Sequence, residues 1–286
     1  MSLTALVLVV CAAALHAGWN ALAKRGGDPI VFLWCATLAS TAILTPLGLW
    51  QLAVAGFAPA AIPFVVATTL VHALYFVALG RAYASGAYSL VYPVARGLGV
   101  ALVPLLALLV FDERLSPGGT AGVALVVAGI AGLHRLPGRP PTAVPVPLVR
   151  SLLWPVVTGL TIATYSLIDK AGVARIDPVP YMMLMEGGCA LLGVPLLWLR
   201  PAAVRRELRG WRTIVLAAAG SALAYTLVLF AFRLSKTGYV VAARELSIVL
   251  SALIGPLWLR EGRLGPRLVG AGIVLAGVLC IAFAGR

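Results

Sequence analysis

Acidic residues are scarce in this chain. Nine Asp and Glu are spread over 286 residues, and charged residues of both signs make up only 11%, against about 25% in a soluble domain. A water-facing surface needs charge over its whole outside, so the scarcity excludes an ordinary soluble fold. Cysteine is equally thin: Cys11, Cys35, Cys189 and Cys280 lie in apolar runs without Cys-x-x-Cys spacing, which indicates neither a disulfide framework nor a metal site. His16, His72 and His134 show no ligand-like or catalytic spacing, so no cofactor, no metal and no catalytic residue is expected, and a membrane-embedded enzyme is disfavoured. Between Pro29 and Gly80 there is no Asp, Glu, Lys or Arg at all.

What fills the chain instead is apolar: 62% of residues are hydrophobic, and the solvent around most of them must be lipid. A spanning helix needs about 20 mostly apolar residues. Ten segments qualify, near 3–23, 30–51, 60–80, 87–111, 117–134, 150–169, 178–199, 213–232, 237–259 and 266–284. Their runs are continuous, without the period-2 alternation of a barrel, so the expected fold class is an all-α integral membrane protein. The Gly56–Pro59 region is the natural turn within the long uncharged interval. Thirty glycines predict close helix contacts, and Gly122-x6-Gly129 and Gly270-x6-Gly277 each keep one helical face small. The first span has no Lys or Arg before it and is read as retained rather than cleaved.

The net charge of +13 does not imply nucleic acid, because the Lys and Arg residues sit between apolar runs rather than on one continuous basic face. Most of them fall in the loops after spans 1, 3, 5, 7 and 9, with the strongest cluster at Arg200, Arg205, Arg206, Arg209 and Arg212. The positive-inside rule makes that face cytoplasmic and places both termini outside. Location in the cell membrane, with the lipid bilayer and a small-molecule substrate as partners, follows; nothing indicates a homodimer.

The chain also repeats itself. One register shift brings Ala95-Arg96 onto Ala243-Arg244, Glu113 onto Glu261, Gly122 onto Gly270 and Ala128-Gly129 onto Ala276-Gly277; at nearby shifts Tyr75 meets Tyr225, Lys24 meets Lys170, and Asp28-Pro29 meets Asp177-Pro178. Rare intramembrane residues recurring in register argue for two homologous halves of five spans, 1–135 and 150–286, joined by the Pro-rich linker 136–149. Because five is odd, the halves enter the membrane from opposite sides, giving two inverted five-helix repeats, the plan of many secondary transporters.

Ionisable groups inside spans are costly, so each needs a partner, water or a function. Span 4 carries Tyr88, Tyr92 and Arg96 at i, i+4 and i+8, on one face beside Pro93. Span 9 carries Arg244, Ser247 and Ser251 on one side, with Glu245 about 100° away facing another neighbour. Span 7 adds Glu186. Two roles compete for Arg96 and Arg244: holding a carboxylate or phosphate in a central cavity, or neutralising Glu186 and Glu245 and pinning helices together. Glu113 and Glu261, at span ends, read as solvated loop charge or helix-end contacts. Span 1 sets His16, Asn20 and Lys24 on one stripe with Trp19 on its flank; the first two and Trp19 suit a cavity wall, and Lys24 an interfacial anchor. Span 6 places Thr161, Tyr165 and Asp169 in series, with Asp169 a partner for a nearby Lys or the carrier of a coupling proton, a role Glu245 could share. His72 and Tyr75 on span 3 and Tyr225 on span 8 could line the same cavity.

The run Leu15–Lys24, and Glu113–Gly122 repeated as Glu261–Gly270, resemble the EamA family, the ten-span branch of the drug/metabolite transporter superfamily. The resemblance covers essentially the whole chain, with repeats near 5–134 and 152–283. It implies export or exchange of amino acids and other small metabolites through a cavity between the halves, and cytoplasmic termini, against the charge count. The His16–Asn20 opening and the Tyr92–Arg96 segment look most like members associated with phosphonate use, which would suit an anionic substrate. The leading expectation is a secondary transporter of a small anionic or zwitterionic metabolite, working by alternating access. A lipid-head-group flippase would differ mainly in a cavity open sideways to lipid.

Overall fold

The computed structural model describes residues 1–23, 27–85, 88–134, 148–250 and 264–284, and every described regular element is helical. The helices are α1 (Leu3–Ala23), α2 (Pro29–Ala55), α3 (Ile62–Ser85), α4 (Tyr88–Phe111), α5 (Pro117–His134), α6 (Leu148–Val173), α7 (Pro178–Leu199), α8 (Pro201–Leu208), α9 (Trp211–Leu234), α10 (Thr237–Arg244) and α11 (Leu264–Ala284). Five described helices are long and apolar enough to cross a membrane, over Leu3–Asn20, Ile30–Ala55, Pro59–Ala82, Pro178–Leu199 and Trp211–Leu234; shorter apolar stretches cover Ala95–Phe111, Pro117–Gly132 and Val269–Phe283. The linker 136–147, Lys24, Ser251 and Glu261 lie outside the described residues.

Local signals explain where the helices begin and end. Asp28 caps α2, its Oδ1 accepting from the backbone N–H of Ile30 and Val31 at 3.2 Å, and Pro29 fits the first helical position because it has no N–H to satisfy. The helix runs to Ala55, past the expected end, and stops at Gly56, whose φ of +78° favours glycine. A 3-10 turn over Pro59–Ala61 then leads into α3. The second Asp-Pro pair, Asp177-Pro178, opens α7, but Asp177 makes no side-chain cap and meets Arg233 at 2.6 Å instead.

The sequence reading of one continuous ninth span, 237–259, needs correction. Helix α10 ends at Arg244, Glu245 is a turn, and helix resumes over residues 246–250. Both Glu245 N–H to Ala242 O at 3.1 Å and Ile248 N–H to Glu245 O at 2.8 Å are three-residue steps, so the ladder tightens there and Glu245 can point away from the helix face that Arg244 occupies. Glu245 keeps right-handed dihedrals, with φ −68° and ψ −4°, so the chain tightens at this point without unwinding. A second difference is α8, a short helix within the arginine-rich stretch read as loop.

The bundle is polar within and apolar outside. Arg96, Asp169, Glu186, Arg244 and Glu245 are buried, while Leu109, Leu191 and Phe283 are at least 70% exposed, the reverse of a soluble protein and the arrangement lipid requires. The closest helix pairings are α5 with α11, α1 with α9, α6 with both α3 and α4, and α2 with α7. Each joins the N-terminal part of the chain to the C-terminal part.

The α5–α11 contact is backbone on backbone. A Cβ on Gly122 would lie 2.8 Å from Gly277 O, one on Gly129 2.8 Å from Val274 N, and one on Gly277 2.7 Å from Gly122 O. Neither partner can yield as a flexible side chain would. Gly129→Val should lower the thermal unfolding midpoint in detergent by the equivalent of about 1–3 kcal/mol. Gly132→Ala on the same helix, where a Cβ meets nothing within 4 Å, should hold or raise it, since alanine favours helix over glycine.

Candidate functional site

Two arginines meet one carboxylate at the tightened turn after α10. Arg96 on α4 donates from Nε to Glu245 Oε2 at 3.0 Å, with both side chains buried. The pairing fulfils the neutralising role for Arg96 and Glu245. Arg244 does not share it: a terminal nitrogen reaches Tyr165 Oη at 3.4 Å, its Nε has no hydrogen-bond partner, and no carboxylate lies within 4 Å among the described residues. Arg244 is 3% exposed. A buried guanidinium without a counter-ion is expensive unless something supplies negative charge. Its neighbourhood includes Arg96 and Glu245 as well as Tyr165 and Tyr225.

Beside this pair lies a hydroxyl-lined carboxylate. Asp169 on α6 is fully buried and accepts from Thr68 Oγ1 at 2.5 Å, Tyr181 Oη at 2.8 Å and Tyr225 Oη, which joins α3, α7 and α9 at one group. Thr68 has a single hydroxyl proton and gives it to Asp169. His72 Nδ1, 2.9 Å from that Oγ1 and 3.0 Å from Thr68 O, must therefore be the donor and carry its proton on Nδ1. The His72 ring stacks on Tyr165 at 4.2 Å between centroids, and Tyr75 and Tyr225 meet Tyr165 edge-on at 5.7 and 6.1 Å. An aromatic wall thus connects Arg244 to Asp169.

The other expected site residues are placed unevenly. His16 is half-buried on α1, within the electrostatic reach of both Arg96 and Arg244, and its Nδ1 accepts from Trp19 Nε1 at 3.2 Å. Asn20 is exposed and donates to its own helix at His16 O, 2.7 Å away. Glu186 is buried on α7 with Oε2 unpartnered; among the described residues no arginine lies within 4 Å of it, contrary to the sequence alternative. Tyr88 and Tyr92 lie on α4, but their side chains are outside the described residues. Asp169 does not pair with the neighbouring Lys170, whose Nζ instead binds Phe232 O, Ser235 O at 2.9 Å and Glu113 at 3.6 Å. Glu113 itself accepts from Thr237 N–H at 2.6 Å, a helix-end contact that starts α10. Sequence reasoning missed Thr68 and Tyr181. Thr68 stands one helical turn before His72, a spacing that could have drawn notice; Tyr181 carries no such signal.

Buried charge enclosed by an apolar-faced helical bundle is the arrangement of a membrane protein with a polar interior. Residues 149–283, the second half of the chain, match the EamA-like transporter family. It is similar to a multidrug transporter of Pseudomonas aeruginosa, 42% identical over 40 residues that make up 14% of this chain and 36% of that protein. The chain thus spans about a third of that relative's length. Its fold is also that of a protein of known crystal structure, with a TM-score of 0.76 at 16% identity over 100% of this chain and 99% of the other.

Proposed function

We propose that the chain is a secondary transporter that exports a small anionic or zwitterionic metabolite, an amino acid or a phosphonate, across the cytoplasmic membrane by alternating access. Arg244 carries the reading: a buried cation with an unmet Nε donor and, among the described residues, no carboxylate within 4 Å, beside an Arg96 that has Glu245 as its counter-ion, leaves room for one substrate anion. Tyr165, Tyr225, Tyr75 and His72 form the wall against the substrate's body, with His16 and Trp19 on the facing helix. Asp169, whose Tyr225 donor is shared with that wall, carries the coupling proton, and Glu245 serves as counter-ion. Ten spans in two inverted repeats suit this role. Exchanging each helix for its counterpart five spans on converts the α1–α9 pairing into α3–α6 and leaves α2–α7 and α5–α11 unchanged.

The test is a thermal-shift panel on purified protein with amino acids, organic acids, phosphonates and nucleosides. Carboxylate or phosphonate compounds should stabilise the wild type and nucleosides should not. Arg244→Gln should weaken the effective ligand about 10–100-fold, the worth of one charge-assisted contact. An Arg244→Gln protein that binds and transports like the wild type would sink the proposal.

A further inference from the structure

Helix α8 connects the C-terminal end of α7 to the start of α9, both long enough to span, so it lies where the bilayer meets water. Its inner face is seated. Ala203 and Val204 pack against the cluster of Ile214, Ala217 and Val31, and the buried Glu207 accepts from the backbone N–H of Gly27 at 2.9 Å and Asp28 at 2.8 Å. That seat uses the one acid between residues 200 and 212 to hold the entry of α2. The outer face is therefore left with uncompensated positive charge. Arg205 on α8, Arg209 at its C-terminal cap and Arg212 in the first turn of α9 are exposed and meet no carboxylate within 4 Å among the described residues. Trp198 and Trp211, at the adjoining ends of α7 and α9, are 80% and 56% exposed, the position where indoles mark the boundary of the hydrocarbon.

We propose that the arginines of α8 and of the turn into α9 form a binding site for the phosphate of an anionic phospholipid headgroup, with Trp198 and Trp211 resting against the acyl chains beside it. Guanidinium groups match phosphate oxygens in forked geometry, and basic segments at this depth gain from anionic lipid while the neighbouring apolar surface stays in the bilayer. Because Glu207 fastens α8 to α2, occupancy stabilises the end of the bundle where α2, α7, α8 and α9 converge. The site is independent of the substrate reading.

The test uses the full chain purified in neutral detergent, with phosphatidylglycerol, phosphatidylcholine or inorganic phosphate added. Phosphatidylglycerol should raise the unfolding midpoint by about 5 °C over phosphatidylcholine, and the rise should shrink at high salt. The variant R205Q/R209Q/R212Q should keep the lipid-free midpoint and lose the difference. Phosphatidylglycerol retained through delipidation, read by mass spectrometry, should fall in the same variant, a readout independent of stability. Equal rises with both lipids, an unchanged preference in the variant, or the same rise with inorganic phosphate alone would overturn the proposal.

Discussion

Arg96→Met is expected to cost about 3–5 kcal/mol of stability, whereas Arg244→Met, an equally buried loss of an equally large cation, should cost little or even stabilise. The difference lies in what each arginine leaves behind. Removing Arg96 strands the carboxylate of Glu245, 1% exposed and ion-paired to Arg96 at 3.0 Å, and an orphaned buried charge is among the most expensive defects a protein can carry. Removing Arg244 strands no carboxylate among its described neighbours and relieves its repulsion by Arg96. Adding Glu245→Gln to Arg96→Met should recover most of the loss, since the stranded charge is then gone. Transport should follow the opposite order from the double variant's stability: Arg244→Met abolishes it in a well-folded protein. Unfolding midpoints of the four proteins in one detergent, with uptake into vesicles, decide the matter. If Arg244→Met unfolds as readily as Arg96→Met, Arg244 is a structural cation and has no vacancy for a substrate.

That opposition could not have been derived from spacing alone. Arg244 and Glu245 are neighbours in sequence, and helical geometry already separated them by about 100°; the structure adds that Glu245 reaches α4 while Arg244 reaches α6. Hydropathy located the helices well where punctuation was sharp, as at Asp28-Pro29 and Gly56, because caps and lipid length act locally. It smoothed over the tightened turn at Glu245, since hydropathy summed over a span cannot register a change at one residue. It also passed over α8, which is too polar for a span and is held by a contact to residues 27 and 28, far away in the chain. The glycine pairs were legible for a different reason: close helix approach demands small residues at helical spacing, and Gly122, Gly129 and Gly277 occupy that contact. The Asp169 cluster is the least legible part. Its three donors come from three helices, and nothing in the sequence fixes which helices become neighbours.

Asp169→Asn should fold and bind substrate but lose proton-driven accumulation. In the wild type three hydroxyls, from Thr68, Tyr181 and Tyr225, all point at Asp169; an ionised carboxylate accepts every one, whereas a protonated carboxyl must itself find an acceptor. Protonation therefore forces at least one hydroxyl to turn. Tyr225 is the one best placed, being half-buried and on the aromatic wall beside Arg244's partner Tyr165, so a change in charge at Asp169 alters what the wall presents to a substrate. Asparagine keeps one acceptor oxygen and sets an N–H2 where the proton would be, with a stability cost of about 1–3 kcal/mol. Asp169→Ala leaves three donors, two of them fully buried, without this acceptor and should cost more than the Asn variant. In proteoliposomes with an imposed pH gradient, Asp169→Asn should exchange substrate at equal concentrations yet fail to concentrate it. Accumulation at the wild-type level would remove Asp169 from the coupling step and leave it a three-helix clasp, for which the alanine variant's instability would remain the only signature.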